Sequence, residues 1–357
     1  MERAYLNLIS GRTRGPFASV ARAALSAAAG GFGAAARLRG YAYDQSWKSA
    51  RQTSIPVISI GNLTAGGTGK TPVVAWLANR FAERGRAVAI LSRGYGASKG
   101  EWNDEGLLLK ALCPEARLYQ NPDRVTSAQH AARTGSHLAL LDDGFQHRRL
   151  ARDFDLVIVD ATRPFGYGSL LPRGLLREPP SALQRADAVL ISRAELCSKP
   201  QLQSLKERLS AYGAPALCLE LRFAPHALRA VTGRATHPPS WLKGRSVAAA
   251  CGIGNPEAFR RGLEKSLGAR LVTWQPFSDH HGYARGELDT LLAASRAAGA
   301  EALIVTAKDA VKLASLLEGQ QPPLPVLALD ITPQIEKPEQ LLSAIDEATA
   351  RHVNRGC

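Results

Sequence analysis

Ile55-Pro56-Val57-Ile58-Ser59-Ile60 runs directly into Gly61-Asn62-Leu63-Thr64-Ala65-Gly66-Gly67-Thr68-Gly69-Lys70-Thr71-Pro72. The first run is short, apolar and rich in β-branched residues, which predicts a buried strand. Pro72 suits the first turn of a helix, where its missing N–H costs nothing. The apolar spacing carries that helix from Thr71 to about Arg84, and Gly85 ends it. Between strand and helix lies a glycine-rich loop. Glycines let backbone N–H groups close around phosphate oxygens, and the helix amino terminus adds partial positive charge. In such a loop Lys70 bridges the outer phosphates and Thr71 offers a hydroxyl to a metal ion.

Thr64, Ala65, Gly66, Gly67, Thr68, Gly69, Lys70 and Thr71 are therefore the candidate cofactor-binding residues, for ATP with Mg²⁺. Thr64 stands where the usual spacing has glycine. The competing reading is an ordinary glycine-rich turn, but nothing structural calls for Gly-Lys-Thr there.

Beyond the loop, short apolar runs at 87–91, 138–142, 156–160 and 188–191 alternate with helical stretches, the pattern of a parallel sheet covered on both faces. Residues 222–245 hold Pro225, Gly233, Pro238, Pro239 and Gly244 and read as a boundary or linker. A second alternation follows, with strands at 246–250, 271–273, 302–306 and 326–329 and helices from Pro256, Arg285 and Lys308. The expected fold is α/β, a P-loop NTPase domain with a mostly parallel sheet and a smaller α/β domain. The expected division is a terminal segment 1–50, a P-loop domain 51–224 and a domain 225–357 that closes the cleft.

The run at 138–142 ends in Asp142-Asp143-Gly144. In a P-loop protein the metal-binding acid sits at the carboxyl end of such a strand, so Asp142 and Asp143 join Thr71 as candidate metal ligands; alone, Asp-Asp-Gly is a common surface turn. Phe277-Ser278-Asp279-His280-His281-Gly282-Tyr283 admits a metal site, a proton-removing histidine or simply a turn, and the turn is the ordinary reading. Ser92-Arg93-Gly94-Tyr95-Gly96, followed by Asn103-Asp104-Glu105, is either an anion grip through Arg93 or a glycine-rich βα loop.

Composition narrows the class. At 357 residues the chain is long enough for two domains, and 45% hydrophobic with 21% charged residues is the balance of a globular protein. Five scattered cysteines without a Cys-x-x-Cys pair indicate neither a disulfide framework nor a zinc site, and a reducing cytoplasmic compartment fits. The net charge of +14 is spread through the chain and lacks aromatic RNA-binding signatures, so anionic lipid or a phosphorylated small substrate is expected rather than nucleic acid.

Residues 1–51 carry Arg3, Arg12, Arg14, Arg22, Arg37, Arg39, Lys48 and Arg51 against Glu2 and Asp44. Arg22 and the glycines at 30, 31 and 33 spoil the apolar stretch as a spanning helix, and it lacks the long aliphatic run of a signal peptide. It reads either as an Ala-rich helix packed on its own domain or as an interfacial helix with its basic groups on anionic head groups.

Together these motifs resemble the tetraacyldisaccharide 4′-kinases of lipid A biosynthesis over nearly the whole chain. The matching segments are residues 61–72, Ser92-Arg93-Gly94-Tyr95-Gly96, Asp142-Asp143-Gly144-Phe145-Gln146-His147, Leu171-Pro172-Arg173-Gly174-Leu175-Leu176-Arg177-Glu178, Asp279-His280-His281 and Thr306-Ala307-Lys308-Asp309-Ala310-Val311-Lys312. The family also has Thr at the position of Thr64. The resemblance implies transfer of the ATP γ-phosphate, with Mg²⁺, to the 4′-hydroxyl of an anionic glycolipid, a tetraacylated disaccharide 1-phosphate. It implies work at the cytoplasmic face of the inner membrane, with the amino-terminal helix on the membrane surface and no required protein partner. It makes Asp104 and His280 a base dyad beside Lys70, and makes Arg93, Tyr95, Gln146, His147 and Arg177 substrate candidates. Asn103 and Gly106 depart from the family's Gly-Asp-Glu-Pro, and Ala307 from its usual Glu. The rival reading is a regulatory P-loop ATPase, which lacks a guanine-reading motif; the nearest stretch, Ile191-Ser192-Arg193-Ala194, has no acid.

Overall fold

Strand β1 (Val57–Asn62) is buried along its whole length, as its apolar run requires. The computed structural model describes residues 2–94 and 102–355. These divide into two units, Met1–Gly96 with Leu112–Arg222 and Gln334–Cys357, and Ala97–Ala111 with Phe223–Pro333.

In the first unit β1 is joined by β2 (Val88–Ser92), β3 (Arg117–Gln120), β4 (Leu138–Asp142), β5 (Phe154–Asp160), β6 (Ala188–Ser192) and β7 (Cys218–Ala230), in the order β7-β6-β5-β1-β4-β2-β3. All these pairings are parallel. The helices are α1 (Glu2–Ile9), α2 (Pro16–Asp44), α3 (Lys70–Glu83), α4 (Asp104–Leu112), α5 (Arg124–Arg133) and α6 (Lys199–Ala211), of which α4 lies almost wholly in the second unit. Helix α3 buries Val73, Val74, Leu77, Ala78 and Phe81, and Gly85 at φ +75° lets the chain turn out of it.

The second unit has β8 (Thr236–His237), β9 (Ser246–Cys251), β10 (Arg270–Pro276), β11 (Leu303–Thr306) and β12 (Val326–Ile335), with α7 (Pro256–Arg261), α8 (Arg285–Ala297) and α9 (Ala307–Leu317). Its order is β10-β9-β11-β12-β7, and Ala248, Ala250, Leu288, Leu292, Leu303, Val305 and Leu313 fill one face. Helix α10 (Pro338–Arg355) belongs to the first unit.

The α/β class and parallel sheet are as expected, but the boundary differs. Residues 222–230 are the second half of β7, not a linker. Pro225 and the outward Arg222, His226 and Arg229 disguise the strand, whose inward residues are Leu219, Leu221 and Leu228. The span expected as 225–357 also loses its carboxy-terminal helix to the first unit and gains residues 97–111.

Helices α1 and α2 are tied to the first unit. Tyr5 Oη donates to Pro172 O at 2.8 Å and Arg173 to Ile9 O at 2.9 Å. Arg148 donates to Gly40 O at 3.0 Å and to Asp44 at 2.7 Å. A Cβ on Gly33 would lie 2.7 Å from Leu170, so the helix seats closely there. Phe17, Val20, Leu38, Tyr41 and Trp47 are nonetheless exposed, Phe17 by 91%. Among the described residues no helix is long and apolar enough to cross a membrane.

Candidate functional site

Asn62, the last residue of β1, organises the loop that follows. Its amide donates to Thr64 O at 2.7 Å, its side-chain oxygen accepts from Lys70 Nζ at 3.2 Å, and its backbone carbonyl accepts from Gln146 Nε2 at 3.0 Å. The 170s segment braces the loop's start: Ala65 N donates to Leu175 O and Arg177 N to Leu63 O, each at 2.7 Å. Gly69 at φ +90° caps α3, a left-handed conformation that glycine takes without strain. Lys70 and Thr71 thus open the helix whose amino terminus favours anions.

β4 delivers the acids. Asp142 is buried and lies opposite Ile60 in register, beside the strand that feeds the loop. Asp143 turns out of the strand at φ +53°. A Cβ on the next residue, Gly144, would stand 2.7 Å from both Leu141 Cγ and Ser59 Oγ, so only glycine fits. Lys70 Nζ lies 3.2 Å from one Asp143 oxygen and Arg177 2.7 Å from the other. Burial pushes the Asp143 carboxyl up, but the two cations outweigh it and hold it well below the usual carboxylate range. The Asp142 and Asp143 carboxyl groups and the Thr71 hydroxyl are hard oxygen donors, the kind Mg²⁺ takes while keeping waters and phosphate oxygens as its other ligands.

Gln146 and His147 follow that turn, and the Gln146 carbonyl accepts from Arg39 of α2 at 3.2 Å. Burial first, then Arg124, Arg152, Arg39 and Arg149, push His147 down to about 4, so it is neutral at physiological pH. Arg93 leaves β2 exposed, while Tyr95 lies outside the described residues. Sequence reading missed Arg124, a buried cation whose field reaches Arg93, Asp142 and Asp143; its place at the start of α5 carries no motif. It also left Asn62 without a role, although the residue sits inside the quoted loop.

In the second unit the structure brings Asp104 and His280 together, although the expected division would have split them. Asp104 opens α4, and His280 sits at φ +59° in the 277–283 turn. His280 Nδ1 is 3.7 Å from Asp104, and Lys312 Nζ is nearer, at 2.7 Å. Lys308 Nζ stands 3.4 Å from His280 Nε2. Asp104 first, helped by Asp279 and Glu105, raises the His280 pKa against burial and Lys308. Burial pushes Asp104 up, but His280 and Lys312 bring it below its ordinary value.

The neighbouring His281 is occupied structurally: its ring stacks on Phe277 at 4.4 Å and its Nε2 meets Glu287 at 2.6 Å. Fully buried Asp309 accepts from Gly252 N at 3.1 Å and from Tyr283 Oη at 3.0 Å, and Lys312 donates to His281 O at 2.8 Å. The turn is therefore real, and it presents His280.

A buried central strand, a Gly-Lys-Thr loop capping a helix and an acid turn on the adjacent strand define a P-loop phosphotransferase. The family model described as tetraacyldisaccharide-1-P 4′-kinase matches residues 21–350. The tetraacyldisaccharide 4′-kinase of Anaeromyxobacter dehalogenans is 43% identical over 84% of this chain and 83% of its own. That of Geobacter sulfurreducens is 37% identical over 95% and 97%. The LpxK of Aquifex aeolicus, solved in complex with ATP, superposes with a TM-score of 0.69 at 27% identity, covering 92% of this chain and 99% of that one. The chain belongs to the tetraacyldisaccharide 4′-kinase family, and its activity is that of a lipid A kinase, a transferase.

Proposed function

We propose that the first unit holds MgATP through residues 64–71, with Asp142, Asp143 and Thr71 around the metal, and that the phosphate goes to the 4′-hydroxyl of a tetraacyldisaccharide 1-phosphate. Bound Mg²⁺ would supply charge neutralisation on the phosphate oxygens. Lys70 would leave Asp143 for the outer phosphates, and Arg177 would keep the freed carboxylate oriented. His280, made more basic by Asp104, would take the hydroxyl proton. The protein contributes chiefly position and charge, since phosphoryl transfer asks little covalent work of it.

The observation that carries this reading is the continuity of one short segment. Asp143 pairs with Lys70, and three residues on Gln146 accepts from Arg39 of α2. A nucleotide-phosphate site and a basic, apolar-faced helix thus meet within one stretch of chain. Phe17, Val20 and Leu38 on that helix, and Trp47 beyond its end, are exposed, which supports seating on the cytoplasmic face of an anionic bilayer. Ala4, Tyr5, Leu8, Ala24 and Leu25 line an apolar cleft of about 640 Å³ between α1 and α2, suited to acyl chains.

The experiment is transfer of label from γ-labelled ATP to the tetraacyl disaccharide 1-phosphate in mixed micelles, with Lys70→Ala as control. Labelled lipid that disappears in the variant supports the reading; ATP hydrolysis without labelled lipid overturns it in favour of a switch ATPase.

A further inference from the structure

The stretch Ile191-Ser192-Arg193-Ala194 has no acid of its own, yet β5 supplies one. Asp160 is paired with Ser192 in the parallel register of β5 and β6, and its carboxylate holds the Arg193 guanidinium. Asp160 is fixed in turn, accepting from Thr162 N at 2.9 Å and Thr162 Oγ1 at 2.7 Å. Arg193 takes φ +58°, a conformation a non-glycine residue seldom adopts. From there its other terminal nitrogen donates to Gly67 O at 2.9 Å. Fully buried Ser192 donates through Oγ to Thr68 O at 2.8 Å.

Those two carbonyls belong to consecutive peptide planes of the glycine loop. A trans peptide is planar, so its N–H points opposite to its C=O. Fixing Gly67 O and Thr68 O against the end of β6 therefore turns the N–H groups of Thr68 and Gly69 to the opposite side. Gly67 and Gly69, the latter at φ +90°, border the two planes with residues of little intrinsic stiffness, which is where a brace acts. We propose that Ser192 and Arg193, the latter held by Asp160, are positioning residues that pre-orient the Thr68 and Gly69 amides toward nucleotide phosphate. This rests on the reading of residues 64–71 as the ATP site. It also gives Arg193 a task other than reading a base, since its guanidinium is committed to Asp160 and Gly67.

The test is calorimetric titration of the full chain with MgADP, without lipid, alongside KM values for ATP and acceptor. Removing a neutral hydrogen bond in Ser192→Ala should raise the ADP Kd roughly three- to tenfold, and removing the charged one in Arg193→Met roughly ten- to a hundredfold. Arg193→Lys, which keeps the charge but not the fork, should fall between. The KM for ATP should rise with the acceptor KM unchanged, and amide exchange at Thr68 and Gly69 should quicken. Unchanged ADP affinity in Ser192→Ala and Arg193→Met overturns the brace, as does a parallel loss of ADP affinity, acceptor affinity and melting temperature in the mild Ser192→Ala. A wild-type chain that binds no ADP overturns the ATP reading and the brace with it. Failed lipid phosphorylation with intact ADP binding overturns the acceptor assignment alone, and the brace is still read from the Kd series.

Discussion

Lys70 and Asp143 hold each other at the mouth of the loop, Nζ 3.2 Å from Oδ1. Arg177 takes the other carboxylate oxygen at 2.7 Å, so one acid stands between two cations. On the proposed reading, phosphate and Asp143 would compete for Lys70, and a metal and Lys70 would compete for Asp143. Each partner would be freed by the arrival of the other's ligand.

If Lys70 moves to the outer phosphates as proposed, Lys70→Ala removes the cation that would follow the transferring charge. Loss of one such preorganised group costs about 10²–10³-fold in kcat. Label transfer to lipid measures it, and a variant within tenfold of wild type would remove Lys70 from the chemistry.

Asp143→Asn should act in opposite directions on binding and turnover. Without metal, the carboxylate repels phosphate and occupies Lys70, so the amide should tighten ATP binding. The Lys70–Asp143 pair is partly exposed, with 39% of the acid's side chain accessible, so the gain should be only about two- to fivefold. Turnover with Mg²⁺ should fall steeply. Calorimetry in chelator, set beside the kinase assay, separates the two, and weaker metal-free binding would contradict the competition.

The dyad makes a signed pH prediction. His280 must be neutral to accept a proton, and its pKa is raised, chiefly by Asp104. The acid limb of kcat/KM should therefore lie above the ordinary imidazole value of about 6.5. Asp104→Asn should move that limb to lower pH as well as lowering the rate. Lys312→Met strips Asp104 of the cation at 2.7 Å and should move the limb the other way. Limbs that coincide in all three proteins would dissolve the assignment of His280 as base.

Much of this was legible in the sequence because the central strands are buried along their whole length and mostly apolar, and the loop residues are chemically distinctive. β7 was not, since it buries one side and carries Pro225 and arginines on the other, so its pattern mimics a linker. Arg124 went unmentioned, and Asn62, Arg193 and Lys312 were quoted without the roles they have, for a different reason. Their roles come from partners distant in the chain, such as Asp160 for Arg193 and Asp104 for Lys312, and spacing along a sequence carries no trace of contacts between separate elements. Likewise, the 97–111 excursion that brings Asp104 into the second unit has no compositional marker.

The membrane reading is best tested at the strongly exposed side chains of α2. Deleting α2 would strip Arg148 of its bonds to Gly40 O and Asp44 and disturb the segment that carries Gln146 and His147, so lost activity would be ambiguous. Phe17 and Val20 are 91% and 69% exposed, and acidic residues there leave the docked side of the helix intact. Phe17→Glu with Val20→Glu removes apolar insertion and adds repulsion from anionic head groups. Each charge near such a surface weighs about 1 kcal/mol, so sedimentation with anionic vesicles should fall at least tenfold. ADP affinity should stay at the wild-type value, since neither residue contacts the loop. Unchanged sedimentation would show that α2 does not seat the enzyme on the bilayer, whatever its exposed apolar residues do instead.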